Sequence, residues 1–365
     1  MGEMRRRRPC RAAIRPPGQT PDILLRTHRD QTDLMMHPIP SGTRDVLPDE
    51  TRELRAITDA LRTVFERHHY GEVYTPALEY ESVLARANID PTGPVHRVFD
   101  ESGATLVLRS DMTVPIARLV ATRYPGVSGP LRFCYFAHCY RGARPQWSQP
   151  RELLQAGIEL IGSSAPGGTA EALTVLCDAL DATGLKDYRV GLGDASLFAT
   201  LMERLRIAPD TRAGLLETLA GRDFVELERR LAGIGASAEA SALLLSLSQR
   251  RGGSEVLAES PGPAADAVAG MRQVSELLDE RVAARVIFDL GLVRSIGYYT
   301  GAVFEVYDPA LGVPIGGGGR YDDLLHSFGE SRPAVGFALD VERLHIALAG
   351  EERGTGVVVA QGQRG

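Results

Sequence analysis

Lysine is almost missing from this 365-residue chain: Lys186 stands alone, and the other basic residues are arginine. A G-K-[ST] phosphate loop is therefore excluded, and Schiff-base chemistry would have to rest on one lysine in the turn-like stretch Gly184-Leu-Lys-Asp187. Codon composition in a GC-rich genome is the plain reading of the arginine bias. Cysteine is also scarce. The four residues Cys10, Cys134, Cys139 and Cys177 form no C-x-x-C pair and no Cys/His zinc spacing. They imply neither a metal site nor a disulfide framework, and they suit a reducing cytoplasm. No apolar run approaches the roughly 20 residues needed to span a bilayer, no secretory core follows the N-terminal arginines, and no internal repeat is present.

What is present is ordinary for a folded protein: 44% hydrophobic and 24% charged residues, with length enough for two domains. The net charge of -6 conceals an asymmetry, because residues 1–30 hold eight arginines and three acids. Subtracting that +5 from the total leaves -11 for the remainder. An acidic body argues against broad nucleic-acid binding, which needs clustered Lys/Arg.

Residues 1–36 are Arg- and Pro-rich without apolar periodicity, and three readings stay open: a disordered extension, a start codon placed too early, or an RNA-binding arm. From Pro48, apolar residues at Leu54, Ile57, Leu61, Val64 and Phe65 predict one face of a helix ending near Tyr70-Gly71. Strands are expected at Val73-Tyr-Thr75 and Thr105–Leu108, then a helix through Ile116 and Val120. Leu131–Tyr140 and Glu152–Ile161 read as an antiparallel hairpin around a turn-rich loop, Arg144–Pro150. A helix over Glu171–Ala182, a strand at Tyr188–Leu192 and a helix at Ala195–Leu205 follow. Residues 208–280 turn Ala/Leu/Glu/Arg-rich, as an inserted helical subdomain would, interrupted by Ser260-Pro-Gly-Pro263. Strand patterns resume at Val286–Leu290, Ala302–Tyr307 and Val313–Ile315. A four-glycine turn Gly316–Gly319, a short helix from Tyr321, a strand Ala334–Leu339 and a helix from Val341 complete the chain.

Four segments could carry chemistry. Gln155, Gly157 and Glu159 alternate, so they share one face of a strand. Either that face is solvated, or it is buried and its Gln and Glu need partners such as a cationic ligand amine. Arg109-Ser-Asp-Met-Thr-Val-Pro115 places Asp111 and Thr113 where helix caps belong; they gain interest if Asp111 faces the same pocket as Glu159. Leu292–Gly301 combines Arg294, suited to a carboxylate or phosphate, with Tyr298 and Tyr299, which can hydrogen-bond and stack or simply fill core and rim. Gly316-Gly-Gly-Gly-Arg-Tyr-Asp322 permits close backbone approach or merely a turn, and it lacks the G-x-G-x-x-G context.

Taken in order, these segments resemble the catalytic core of histidyl-tRNA synthetases over about residues 38–349. Pro40–Pro48 resembles the family's opening, and the following helix its dimer-forming first motif. Tyr140-Arg141 through Glu159 resembles the second class II motif, Leu292–Glu305 and Gly317–Asp322 the two histidine-specific signatures, and Val335–Leu344 the third motif with Arg343 as its arginine. The resemblance implies an α+β fold, a class II aminoacyl-tRNA synthetase-like antiparallel sheet flanked by helices. Its core would be residues 37–207 and 281–349, with an inserted helical subdomain at 208–280 and a tail at 350–365. It also implies a histidine pocket made by Asp111, Thr113, Arg141, Gln155, Glu159, Arg294, Tyr298 and Tyr299.

The departures narrow the choice. Tyr140-Arg141-Gly142-Ala143 lacks the acid of the family's Phe-Arg-x-Glu, and Gly297 stands where an Asp precedes the Tyr pair. With 22 residues after Arg343, an anticodon-binding domain is not expected. A shortened relative that keeps the amino-acid pocket resembles the regulatory subunits of ATP phosphoribosyltransferase. That resemblance implies a non-catalytic, cytoplasmic protein without cofactor or metal, homodimeric within a hetero-octamer. It would activate a short-form ATP phosphoribosyltransferase catalytic subunit and bind histidine as feedback effector, with Arg141 and Arg343 as remnants of nucleotide motifs and no nucleic-acid or membrane partner. The alternatives are a histidyl-tRNA synthetase core or amino-acid-activating paralogue, and a scaffold with a vestigial pocket.

Overall fold

The computed structural model describes residues 39–87, 95–142, 150–258, 265–294 and 297–352. The expected N-terminal extension, most of the Arg144–Pro150 loop, the Ser260–Pro263 interruption and most of the C-terminal tail lie outside the described residues.

The first half of the chain runs α1 (Pro48–Arg67), β1 (Gly71–Glu72), β2 (Leu78–Tyr80), α2 (Glu81–Arg86), β3 (Arg97–Phe99), β4 (Thr105–Leu108), α3 (Thr113–Arg123), β5 (Leu131–Tyr140), β6 (Glu152–Ile161), α4 (Gly167–Thr183), β7 (Arg189–Asp194) and α5 (Ser196–Arg204). A helical stretch follows: α6 (Pro209–Ala220), α7 (Phe224–Gly233), α8 (Ala238–Gln249), then β8 (Arg251–Gly252) and α9 (Ala265–Leu277). The last part is α10 (Glu280–Ala283), β9 (Val286–Asp289), β10 (Ala302–Tyr307), β11 (Gly316–Arg320), β12 (Ala334–Asp340) and α11 (Val341–Glu352).

Helix α1 shows why the chain folds locally as it does. Pro48 opens it, Asp49 and Glu50 sit in its first turn and Arg67 in its last, each sign matched to the helix dipole. Its stripe Leu54, Ile57, Leu61, Val64 and Phe65 is buried, and α1 lies against α4 and α11. The apolar stripe is thus used by the chain's own core, while Arg52, Glu53, Arg55 and Arg67 on the helix's other side remain exposed.

Among the described residues, nine strands form the main sheet in the order β1-β5-β6-β12-β11-β10-β7-β9-β8, with a small second sheet β2-β4-β3. The main sheet corrects the antiparallel expectation: β1 with β5 and β7 with β9 are parallel pairs, and the other pairs are antiparallel. Those two parallel pairs close crossovers through intervening helices, a connection a hairpin cannot make. The β5–β6 hairpin forms with the predicted ends. Residues of α6 to α9, including Leu215, Leu227, Leu244 and Val268, belong to the same buried apolar cluster as Leu173, Val190 and Phe337, and β8 is paired to β9.

One sequence expectation fails instructively. Gly316–Gly319 is not a turn but lies in β11, in the interior of the sheet between β10 and β12, while Val313–Ile315 is not a strand. The glycines are required by space rather than by left-handed backbone. A Cβ on Gly318 would lie 2.8 Å from Phe337 Cα and overlap the Gly336 carbonyl, and one on Gly316 would lie 2.8 Å from Leu339 Cα. The neighbouring strand comes too close for any side chain. Likewise, the short helix placed from Tyr321 starts later, as a 3-10 turn at Leu325–Phe328, and the first edge strand is Gly71–Glu72 rather than Val73–Thr75.

Gly318→Ala should therefore cost about 1–3 kcal/mol of unfolding free energy, the usual cost of overpacking. Gly167→Ala, where nothing lies within 4 Å of the added carbon, should be near neutral. Urea titration of the two variants checks the contrast.

Candidate functional site

The pairing register builds the site. Gln155, Gly157 and Glu159 of β6 face the same side as their β5 partners Ala137, Tyr135 and Phe133 and their β12 partners Asp340, Ala338 and Gly336. Farther along the sheet, Gly317 and Gly319 of β11 stand opposite Glu305 and Val303 of β10. Small residues therefore dominate the middle of this face, and large polar side chains fold over them. The Tyr135 ring covers Gly157, the Glu159 carboxyl occupies the space above Gly336, the Arg294 guanidinium lies on Gly317, and the Tyr299 ring on Gly319. The opposite face, with Ile158, Leu160, Val335, Phe337 and Phe304, enters the main apolar core.

Above the glycines is a cavity of about 250 Å³. Asp111, Thr113, Arg141, Gln155, Arg294, Tyr298 and Tyr299 all line it, so the structure brings together residues that are up to 188 positions apart, from 111 to 299. Arg343 lines it too. Glu159 does not reach the wall: it is 1% exposed and lies beneath, where Thr113 Oγ1 donates to its Oε1 at 2.7 Å and the Tyr321 hydroxyl donates to its Oε2. Asp111 stands one residue before Met112, the N-cap of α3, and its carboxyl accepts from the Val114 backbone N–H in the first turn at 3.0 Å. Thr113 does not cap; it is the first helical residue and spends its hydroxyl on Glu159.

Charge in the cavity is distributed in pairs. Arg294 donates to Glu305 and to the Phe304 carbonyl, both at 3.2 Å, and lies 5.7 Å from the Tyr299 ring centre. Arg343 bridges Asp340 at 3.2 Å and the Pro314 carbonyl at 2.7 Å. Arg141 is exposed at the mouth. Tyr298 packs edge-on against Tyr321 and tilted against Tyr299, forming an aromatic wall. One polar atom is left over: Gln155 is 6% exposed, and its Oε1 accepts from no group among the described residues. An unmet buried acceptor costs about 1–3 kcal/mol, so this one favours a ligand N–H.

The two acids are driven toward their neutral forms. Burial pushes the Glu159 carboxyl up to about 8, against the hydrogen bonds from Tyr321 and Thr113, and the nearby Asp111 adds to the rise. Burial also raises Asp111, partly offset by the Val114 N–H, Ser110 and the field of Arg141.

Residues not singled out in the sequence complete the site. Glu305 positions Arg294, Tyr321 holds Glu159, Tyr135 fills the space over Gly157, and Asp340 holds Arg343. Tyr321 stood within the quoted Gly-rich motif, Glu305 closes the Leu292–Glu305 signature and Asp340 lies in the Val335–Leu344 motif; nothing in the local sequence marks Tyr135 as a cavity residue.

Comparison with known proteins identifies the family and the fold. The histidyl-tRNA synthetase family profile matches residues 42–344. The ATP phosphoribosyltransferase regulatory subunit of Desulforamulus reducens is 40% identical over 313 residues, 84% of this chain and 78% of that protein. That of Symbiobacterium thermophilum is 41% identical over 316 residues, 85% and 79% of the two chains. A solved structure from Bacillus halodurans, described as an ATP phosphoribosyltransferase regulatory subunit/histidyl-tRNA synthetase, superposes with a TM-score of 0.77. It is 32% identical and covers 86% of this chain and 83% of that one. The architecture is thus a class II aminoacyl-tRNA synthetase-like fold, a mixed sheet flanked by helices. Within that class, the chain belongs to the histidyl-tRNA synthetase-like family of ATP phosphoribosyltransferase regulatory subunits.

Glu159 gives a pH signature. Its folded pKa of about 8 exceeds the unfolded value near 4.3, so the folded state binds the extra proton between them. Its contribution to stability is fully present below about pH 4.3 and falls as pH rises, by about 1.4 kcal/mol per pH unit, until about pH 8. Glu159→Gln should flatten the stability–pH curve by that slope between pH 5 and 7.5. Denaturation at stepped pH measures it, and parallel curves for the two proteins would contradict the assignment.

Proposed function

We propose that this chain is the non-catalytic regulatory subunit of an ATP phosphoribosyltransferase, needed by a short-form catalytic subunit and binding histidine as feedback effector in the cavity described above. The observation that carries this reading is the unpartnered Gln155 Oε1 in a cavity lined also by the Asp111 carboxylate. Together they suit the α-ammonium of an amino acid. Arg294 offers the opposite charge for its carboxylate. The hydroxyls of Thr113 and Tyr321, with Glu159 behind them, suit a side chain bearing ring nitrogens. A homodimer within a hetero-octamer, in the cytoplasm, belongs to the same proposal. So does the division into a class II core at 37–207 and 281–349 and a helical insertion at 208–280.

The non-catalytic part of the reading is supported by two details. Ala143 stands where the family's second motif carries an acid, and Arg343 is engaged by Asp340 and the Pro314 carbonyl. The enzyme alternative, an amino-acid-activating protein, draws on the presence of three arginines, Arg141, Arg294 and Arg343, in one cavity. Histidine-dependent ATP–pyrophosphate exchange separates the two; robust exchange would favour the enzyme.

Reconstitution with a short-form ATP phosphoribosyltransferase should restore turnover and make it sensitive to histidine. Asp111→Asn should raise the histidine concentration for half-inhibition by about tenfold or more, equivalent to about 1.4 kcal/mol, while complex formation persists. An inactive mixture of two folded subunits, or unchanged inhibition in the variant, would contradict the reading.

A further inference from the structure

The aromatic wall of the cavity is assembled from two separate segments, and one threonine joins them. Tyr298 and Tyr299 stand just before β10, whereas Tyr321, whose hydroxyl donates to Glu159, follows β11. The Tyr298 and Tyr321 rings meet edge-on with their centres 5.8 Å apart. Thr300 lies directly after the tyrosine pair. Its backbone N–H donates to the Arg320 carbonyl at 2.8 Å, and its Oγ1 accepts from the Asp322 backbone N–H at 2.9 Å. Thr300 is therefore bonded to the residue on either side of Tyr321.

The Tyr321 segment is itself firmly held. Arg320 is 2% exposed, and a guanidinium so far from water has to be paired. Its Nε and Nη2 donate to the two oxygens of Asp322 at 3.2 and 2.7 Å, a bidentate pairing, and Nη2 also donates to the Ser163 carbonyl at 3.0 Å. Asp322 Oδ1 accepts as well from the backbone N–H of Ala334, the first residue of β12, at 2.9 Å. The Tyr321 N–H returns a bond to the Ala334 carbonyl at 2.9 Å. Residues 320–322 are thus tied to the turn after β6 and to the start of β12, and Thr300 extends that fixed base to the tyrosine pair.

We propose that Thr300 is a positioning residue of the cavity: through its two hydrogen bonds it sets the Tyr298–Tyr299 segment against Tyr321, and so fixes how the aromatic wall meets a ligand ring. It acts through the tyrosines. The position requires the side-chain oxygen in particular, since valine would keep the shape of threonine but leave the Asp322 N–H facing a methyl group. Serine would keep the acceptor and lose only the methyl. That the ligand is histidine rests on the reading above, whereas the joining of the two tyrosine segments does not.

Thr300→Val and Thr300→Ser, with Thr122→Val as control, test it on the full chain. Thr122 is an exposed threonine at the far end of α3 whose hydroxyl bonds to the Arg118 carbonyl. The first measurement uses no ligand. Hydrogen exchange should show protection across residues 298–303 falling by about fivefold in Thr300→Val, the effect of one hydrogen bond, and staying at the wild-type level in Thr300→Ser and Thr122→Val. The second is calorimetric titration with histidine. Thr300→Val should raise the Kd by about fivefold or more, and Thr300→Ser should stay within about twofold of wild type. Wild-type protection in Thr300→Val overturns the proposal, as does a Thr300→Ser chain impaired as much as Thr300→Val. Unchanged histidine affinity in a Thr300→Val chain that has lost protection overturns it too. Absence of histidine binding by the wild-type chain would instead overturn the effector reading, and the ligand-free comparison would still decide whether Thr300 joins the tyrosine segments.

Discussion

A carboxyl group placed in the middle of a sheet governs this structure. Glu159 is withdrawn from water on a strand with neighbours on both sides, and such a group has to be neutralised, hydrogen-bonded or both. Two hydroxyls from distant parts of the sequence, Thr113 at the start of α3 and Tyr321 after β11, provide the hydrogen bonds. Room comes from Gly336 on the adjacent strand, where a side chain would collide with the carboxyl. Fixing those three partners fixes α3, β11 and β12 around one point of β6, and the cavity is the space that remains above them.

The same logic extends across the sheet. Gly157, Gly317, Gly319 and Gly336 are each matched to a large polar side chain lying on them, from neighbouring strands for Tyr135 and Glu159 and from the bordering loop for Arg294 and Tyr299. The arrangement leaves a shallow floor with arginines, carboxylates and tyrosines around it, a composition suited to a small zwitterion. In a chain with one lysine, the cationic partners for any ligand carboxylate are arginines. Those lining the cavity are Arg141, Arg294 and Arg343, and the latter two are already held in place by Glu305 and Asp340.

Much of this was legible beforehand. The 3.6-residue stripe of α1, the β5–β6 hairpin and the alternation of Gln155, Gly157 and Glu159 are local patterns, and local patterns survive folding when packing agrees with them. The eight proposed pocket residues became visible through the order of motifs rather than through any one of them, and seven of them line one cavity. What escaped were features defined by a neighbouring strand. Four consecutive glycines carry a turn signal in isolation, and only the nearness of Phe337 and Leu339 shows why β11 needs them. Glu159 was read as a direct ligand contact, but its position behind Thr113 and Tyr321 depends on side chains more than 40 residues away. Tyr135 could not be found, because nothing distinguishes it until the register places it beside Gly157, and Asp340, although inside the Val335–Leu344 motif, gains its role only when the register sets it opposite Gln155.

The central claim is that the polar cavity over the glycine floor binds histidine as an amino-acid effector. Calorimetric titration of the intact chain with histidine, alongside Gln155→Leu and the alcohol analogue histidinol, addresses it most directly. The account predicts saturable one-site binding of histidine, a loss of affinity of about tenfold or more in Gln155→Leu, and weak binding of histidinol, which cannot offer Arg294 a carboxylate. Absence of binding, or binding indifferent both to Gln155 and to the ligand carboxylate, would contradict it.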